Sequence, residues 1–369
     1  MNIQITNKSI TLSQHATDKA LKAMGNITIK DIAKALGNSV STVSKALNDS
    51  SEISSLTKQK IIEYAEANNY KPNRLATSLK NGRSNAIGVV ICYINNTFVS
   101  QLLDGIQKAS LKTGFDVIVM QSFENAENEK SCLDALVLRG VDGILIAPVS
   151  ESSNAAYLSF IMENHCPIVL FDRISSELKT TKVGINEYKG AVKATQHLVK
   201  INRKRIVFIT GDKFEQNNPR ILGFLKALKI LDVAFNPEYM ITCDLADTAS
   251  LDKKISESIR QLRKLNPKPN AIFGATDVIT TRTLGILAKL KIKVPEEIAV
   301  IGFSNTDIAF ALNPPLSVIR QPATDMGFLA FTKLVAIIKG TTENKDATFL
   351  LDTAMHLSNS TKIYNVSHK

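Results

Sequence analysis

The chain has 369 residues, of which 44% are apolar and 21% charged, with a formal net charge of +11. That length suits two or three compact units rather than one core, and the basic balance points toward a polyanionic partner. Nothing approaches the run of about 18 apolar residues that spans a bilayer. The first 23 residues also lack the apolar core of a secretory leader, so the expected compartment is the cytoplasm, with no membrane partner.

Residues 1–26 are polar and weakly patterned and read as a poorly ordered extension, with Met24 a second candidate start. From Ile29 the pattern sharpens: Ile29, Ile32, Ala33 and Leu36 make one helical stripe that Gly37 and Asn38 end. In NSVSTVSKALN (Asn38 to Asn48), Ser39 supplies an N-cap, and Val40, Val43 and Leu47 recur at steps of three and four, predicting a helix over 40–48. Its outward face carries Ser41, Thr42 and Lys45, small hydrogen-bonding groups and one cation where a solvated helix would carry Glu, Lys and Gln. A third helix starts near Ser54 or Ser55 and turns Ile61, Ile62 and Ala65 inward before Asn68-Asn69-Tyr70. Three short helices within 27–72, the first two joined by a tight glycine turn, form a helix-turn-helix unit. Residues 73–85, with Arg74, Lys80 and Arg83 and little apolar material, read as a linker with a latent helical turn.

Over 86–362 the chain alternates apolar strands with amphipathic helices. The runs AIGVVI, FDVIVM, DGILIA, PIVLF, RIVFIT, NAIFGA and IAVIGF are those of strands covered on both faces, hence of parallel α/β sheets. Seven such runs predict two doubly wound subdomains, split near 175–203; TFLLDTAMHL near the end reads as one more apolar strand. Ligands of such sheets sit beyond the carboxyl ends of the strands. That rule selects Asn95, Asn96, Phe98, Asp172, Arg173, Arg220, Thr276, Asp277, Ser304 and Asn305, a lining suited to a small polar molecule with hydroxyl groups.

No phosphate loop, dinucleotide fingerprint, zinc-protease helix or nucleophile elbow occurs, so no enzyme is expected. The five histidines show no paired ligand spacing, and Cys92, Cys132, Cys166 and Cys243 lie at least 34 residues apart, so neither metal nor cofactor is expected. His197 reads as a surface or satisfied side chain, and Asn202 to Arg205 as the polar connection into a buried strand.

ITIKDIAKALGNSVSTVSKALNDSSEIS followed by NYKPNRLATSLKNGRS resembles the headpiece and hinge of the LacI/GalR family of bacterial transcription regulators. FDR at 171–173, Arg220 three residues before Gly223-Phe224, VPEEIAVIGF and PPLSVIRQP extend the resemblance over about residues 27 to 362. It implies a helix-turn-helix headpiece on a body like the periplasmic sugar-binding proteins, with the chain crossing back between subdomains near 304–322. The Ser-rich helix would lie in the major groove, with Val40 and Ser41 reading bases. Lys45 stands where the family most often has Arg and lacks its planar fork. Thr28, Ser39, Thr42, Asn48 and Ser54 are the implied phosphate contacts, which set register rather than read sequence, and Ile29 and Ser44 are further implied DNA-binding residues. Asn73, Arg74 and Ala76 belong to the implied hinge helix, and Leu79 matches the leucine wedged into the minor groove.

In the body the resemblance adds Phe171 and Gln321 to the effector-binding residues and implies a homodimer on a palindromic operator. The implied effector is a sugar or sugar derivative. Two departures bear on it: the chain has no Trp, so ring stacking falls to Phe98 or Phe171, and Ser304 stands where many members have a carboxylate. A solute receptor feeding a transporter would fit the body alone, but residues 27–85 give it no leader and an unneeded helix-turn-helix.

Overall fold

The computed structural model describes residues 27–70 and 83–362, apart from 151, 176, 213, 215, 216, 246 and 343–345. It divides into two compact units, Met1–Ser84 and Asn85–Lys369.

In the first unit, helix α1 (Ile29–Ala35) opens with a capping box: the Asp31 N–H donates to Thr28 Oγ1, and the Thr28 N–H donates back to the Asp31 carboxylate at 2.9 Å. Gly37, at φ +63°, makes the turn into α2 (Val40–Leu47), a conformation most side chains resist. Ser39 Oγ accepts from the Thr42 N–H at 3.0 Å to start α2, and Ser54 caps α3 (Ser55–Ala67) in the same way. Ile32, Val43 and Ile61, with Ala33, Ala46 and Ala65, close a small core.

One expectation needs correction. Ile62 is 40% exposed, because the 100° step per residue carries it off the face shared by Ile61 and Ala65. Val40 is 43% exposed while Val43 is fully buried, so the interior face of α2 is centred on Val43 and Ala46, and Val40 points outward.

The second unit alternates strands and helices. Its first half runs β1 (Ala86–Ile91), α4 (Thr97–Thr113), β2 (Asp116–Gln121), α5 (Ala126–Leu138), β3 (Gly143–Ile146), α6 (Ala155–Glu163), β4 (Ile168–Phe171) and β5 (Lys182–Ile185). The second half is α7 (Glu187–Lys200), β6 (Ile206–Gly211), α8 (Pro219–Ile230), β7 (Met240–Cys243), α9 (Thr248–Leu262), β8 (Ala271–Gly274), α10 (Asp277–Lys289), β9 (Ala299–Phe303) and β10 (Ser317–Arg320). Then come α11 (Ala323–Ile338), β11 (Thr348–Leu351) and β12 (Ala354–His356). The strands form two six-stranded sheets, ordered β11-β5-β4-β3-β1-β2 and β12-β10-β9-β8-β6-β7. All pairs are parallel except β10 with β12. These are the two parallel-sheet α/β subdomains expected, with buried clusters on both faces of each sheet.

Every one of the seven apolar runs is a strand, but others were not legible. KVGI, β5, contains a lysine and a glycine, yet Lys182 is buried with its Nζ donating to Thr180 O at 2.9 Å and to Asp346 at 3.0 Å. TFLLDTAMHL is two strands in different sheets, because the chain crosses over at Asp352 and Thr353. It crosses between sheets after β5 and after β10 as well. Helix α11, made after the second crossing, packs back on α4: a Cβ at Gly105 would lie 1.9 Å from Thr324 O, and one at Gly327 2.1 Å from Leu102 O. This contact between helices far apart in sequence ties the last part of the chain to the first sheet.

Candidate functional site

Two sets of polar side chains remain once packing is accounted for. The first is the outer face of α2. Ser39, Val40 and Ser41 are exposed, Thr42, Ser44 and Lys45 half-buried, and Asn48, Thr28 and Ser54 exposed, with Ile29 half-buried beside them. Much of this polarity has local partners: Ser39 Oγ and Thr42 Oγ1 are 2.8 Å apart, and Asn48 Nδ2 donates to Ser44 O at 2.8 Å. Lys45 Nζ donates to Glu52 on the loop after α2, a partner that sequence reading missed. Asn73, Arg74, Ala76 and Leu79 lie outside the described residues.

The second set gathers where the carboxyl ends of the two sheets face each other. From the first sheet, Asn96 caps α4 through its bond from the Val99 N–H at 2.8 Å, and Phe98 and Phe171 supply apolar walls. Arg173 forks onto Glu124, its two terminal nitrogens 2.7 and 2.5 Å from the two carboxylate oxygens, and also donates to Val149 O at 2.8 Å. A cavity of about 100 Å³ opens between these groups, Asp172 and Cys92. Asn95 is exposed on the preceding loop and does not line it.

From the second sheet, Arg220 leaves the first turn of α8 and lies over the Phe303 ring, its guanidinium carbon 4.3 Å from the centroid. It donates to Ala275 O and to Glu187 Oε1, and its Nε, buried, has no partner among the described residues. Gln321 Nε2 approaches the same Glu187 oxygen at 3.5 Å. Thr276 caps α10, and Ser304, fully buried, donates to Asp277 at the start of that helix. Asn305 joins the sheets: its amide donates to Gln101 Oε1 at 2.7 Å and Gln321 O at 2.8 Å and accepts from the Gln321 N–H at 3.0 Å.

Burial sets the electrostatics here. It raises the Asp172 carboxyl to about 6, against the opposing pull of Arg173 and Arg220. It also raises Asp277, opposed by the Ser304 hydrogen bond, and lifts the Cys92 thiol to about 11, which leaves it a neutral, unreactive group. For Arg173 burial works downward, but the Glu124 hydrogen bonds and charge outweigh it and the net shift is up.

Glu124, Glu187 and Gln101 were not among the sequence candidates. The carboxyl-end rule reaches Glu124 after β2, and it reaches Glu187 only if KVGI is read as a strand. His197, expected to be satisfied or at the surface, is half-buried on α7 with Nε2 unpartnered among the described residues, and burial lowers its pKa. The cations around 203–205 grip neighbouring loops: Arg203 donates to Pro295 O at 2.6 Å and Arg205 to Lys268 O, the structural reading of that run.

The profile of the bacterial regulatory proteins of the lacI family matches residues 28–73, and that of the periplasmic binding protein-like domain residues 195–360. The HTH-type transcriptional regulator DegA of Bacillus subtilis is 31% identical over 304 residues, 81% of this chain and 88% of that protein. The chain belongs to the lacI family. The HTH-type transcriptional repressor PurR of Aliivibrio fischeri is 29% identical over 316 residues, covering 85% of this chain and 92% of that one. The lac repressor dimer, solved bound to operator and the anti-inducer ONPF, shares the fold with a TM-score of 0.80 at 22% identity, covering 91% of this chain and 99% of that one. The transcriptional regulator CelR in complex with cellobiose aligns with a TM-score of 0.66 at 23% identity over 91% of this chain and 100% of that one. As a lacI-family member the chain is a DNA-binding, effector-binding transcriptional regulator, and its relatives are regulators rather than enzymes. No helix among the described residues is long and apolar enough to cross a membrane.

Proposed function

We propose that this regulator is a cytoplasmic repressor that binds a palindromic operator as a homodimer and is controlled by a sugar or sugar derivative held between its two sheets. One observation carries the effector half of this reading: Arg220 and Gln321 both approach Glu187, Asp172 feels the charges of Arg220 and Glu187, and a buried Arg220 donor is left without a partner among the described residues. Mixed donors and acceptors beside Phe98 suit hydroxyls on a ring with an apolar face. Cellobiose in the CelR complex supports the class.

On the DNA side, Val40 and Ser41 meet bases, Lys45 donates to guanine, and Thr28, Ser39, Thr42, Ser44, Asn48 and Ser54 fix register on phosphates. Asn73, Arg74, Ala76 and Leu79 form the hinge that opens the minor groove. The cleft acts on DNA only through the difference in effector affinity between DNA-competent and incompetent states.

A thermal-shift screen of the purified protein against sugars, sugar derivatives and nucleosides tests the reading. A carbohydrate hit is expected, with its shift lost in Arg220→Ala while operator binding by that variant is unchanged. A full shift in Arg220→Ala would remove the cleft from the effector site.

A further inference from the structure

The cleft's charges do not cancel. Each of its guanidiniums already faces a carboxylate: Arg173 is forked onto Glu124, and Arg220 donates to Glu187, with side-chain exposures of only 11% and 19% for the latter pair. Asp172 sits within the field of all four groups and is itself a carboxylate, so two cations stand against three anions. Across the cleft Asp277 adds another, engaged by Ser304 and lying near Arg320, which has its own carboxylate partner in Asp307. Glu187 occupies the first position of α7, where the helix N-terminus favours a negative side chain.

We infer that the effector is an uncharged or cationic polyhydroxyl compound, that phosphorylated and carboxylated ligands are turned away, and that Glu187 is the residue that sets this selectivity. The inference rests on reading the cleft as the effector site. An incoming anion could reach Arg220 only by displacing Glu187, leaving that carboxylate without its ion-pair partner in a region where water screens poorly, or by lying beside it at close range. A hydroxyl meets no such barrier: it accepts from the Nε–H that Arg220 still has to offer and donates to Asp172, breaking no existing pair. An amino group would gain further from the surplus of carboxylates.

Inorganic phosphate is the probe, because it needs no knowledge of the natural effector. Full-length wild type, Glu187→Gln and the double variant Glu187→Gln with Arg220→Gln are titrated with phosphate and followed by phosphorus NMR line broadening and calorimetry. Gln keeps the acceptor oxygen facing Arg220 and removes only the charge; Glu187→Ala serves the same comparison should the Gln variant not fold. Only binding that depends on Arg220 counts, which discounts phosphate held by other basic surfaces. Glu187→Gln should bind phosphate at least about tenfold more tightly than wild type, and the double variant should lose that gain. Arg220-dependent binding by wild type as tight as in Glu187→Gln, or no gain on removing the charge, would overturn the inference. The two readings fail separately. A cleft that takes no effector would still gain phosphate in Glu187→Gln, whereas a true effector cleft with a different charge rule would still lose its effector shift in Arg220→Ala.

Discussion

The headpiece and the cleft use polar side chains in opposite ways. In the described headpiece the side-chain hydrogen bonds span at most nine residues, the longest being Lys58 to Asp49. In the cleft they join segments 33 residues apart at Glu187 and Arg220, 49 at Glu124 and Arg173, and 204 at Gln101 and Asn305. Their carboxylates shift in opposite directions too. Hydrogen bonds from Thr28 and Lys58 hold Asp31 and Asp49 below the usual range, whereas burial lifts Asp172 and Asp277 above it. A face built from local bonds is set within its own three-helix unit. A cleft built from distant bonds exists only when both sheets are in place, and so it can report on how they are arranged.

The sharpest way to break this contrast is to separate the sheets' supports. Gly105→Val drives a side chain into Thr324 O, where even a Cβ would lie 1.9 Å away. The body should lose at least ~3 kcal/mol, read as a lower melting temperature of the Asn85–Lys369 unit, while the headpiece keeps its helical signal. Equal loss in both units would contradict their independence.

Asp172→Asn should have the next largest effect, and of the opposite sign. A carboxyl raised from 3.8 to about 6 contributes stability that is full below 3.8 and is lost as pH rises through about 6. Removing the charge should stabilise the body at pH 7 by about 1–2 kcal/mol and flatten its pH dependence between about 4 and 6. Destabilisation at pH 7 would mean that the ionised carboxylate is held by its partners rather than strained by burial. The headpiece runs the other way: with Asp31 and Asp49 lowered, its contribution is present above their unfolded values and falls away on acidification.

Smallest is Ser39→Ala, which removes the α2 cap and should cost the headpiece ~1 kcal/mol by thermal unfolding, leaving the cleft's ligand response unchanged. A change in that response would show that the two units share more than the chain between them.

This same division governs what could be read from the sequence. Caps, the glycine turn and the apolar stripe of the headpiece are local signals, so Ser39, Gly37, Val43 and Ile61 were legible, and only Ile62 was misjudged from periodicity. Strands such as GILI and IVLF declare themselves by continuous apolar character, but KVGI is a strand because its neighbours in the sheet make it one. Arg220 and Asp172 were legible as charges at strand ends. Glu187, which neutralises Arg220, was hidden behind that unrecognised strand, and no local pattern marks a salt bridge across 33 residues.

The most direct test measures operator affinity by fluorescence anisotropy, using an operator selected from random DNA, with and without the carbohydrate found in the screen. The account predicts that saturating the cleft changes the wild-type dissociation constant by roughly 5- to 150-fold and leaves that of Arg220→Ala unchanged. An operator affinity indifferent to a saturated cleft, or equally altered in Arg220→Ala, would contradict it.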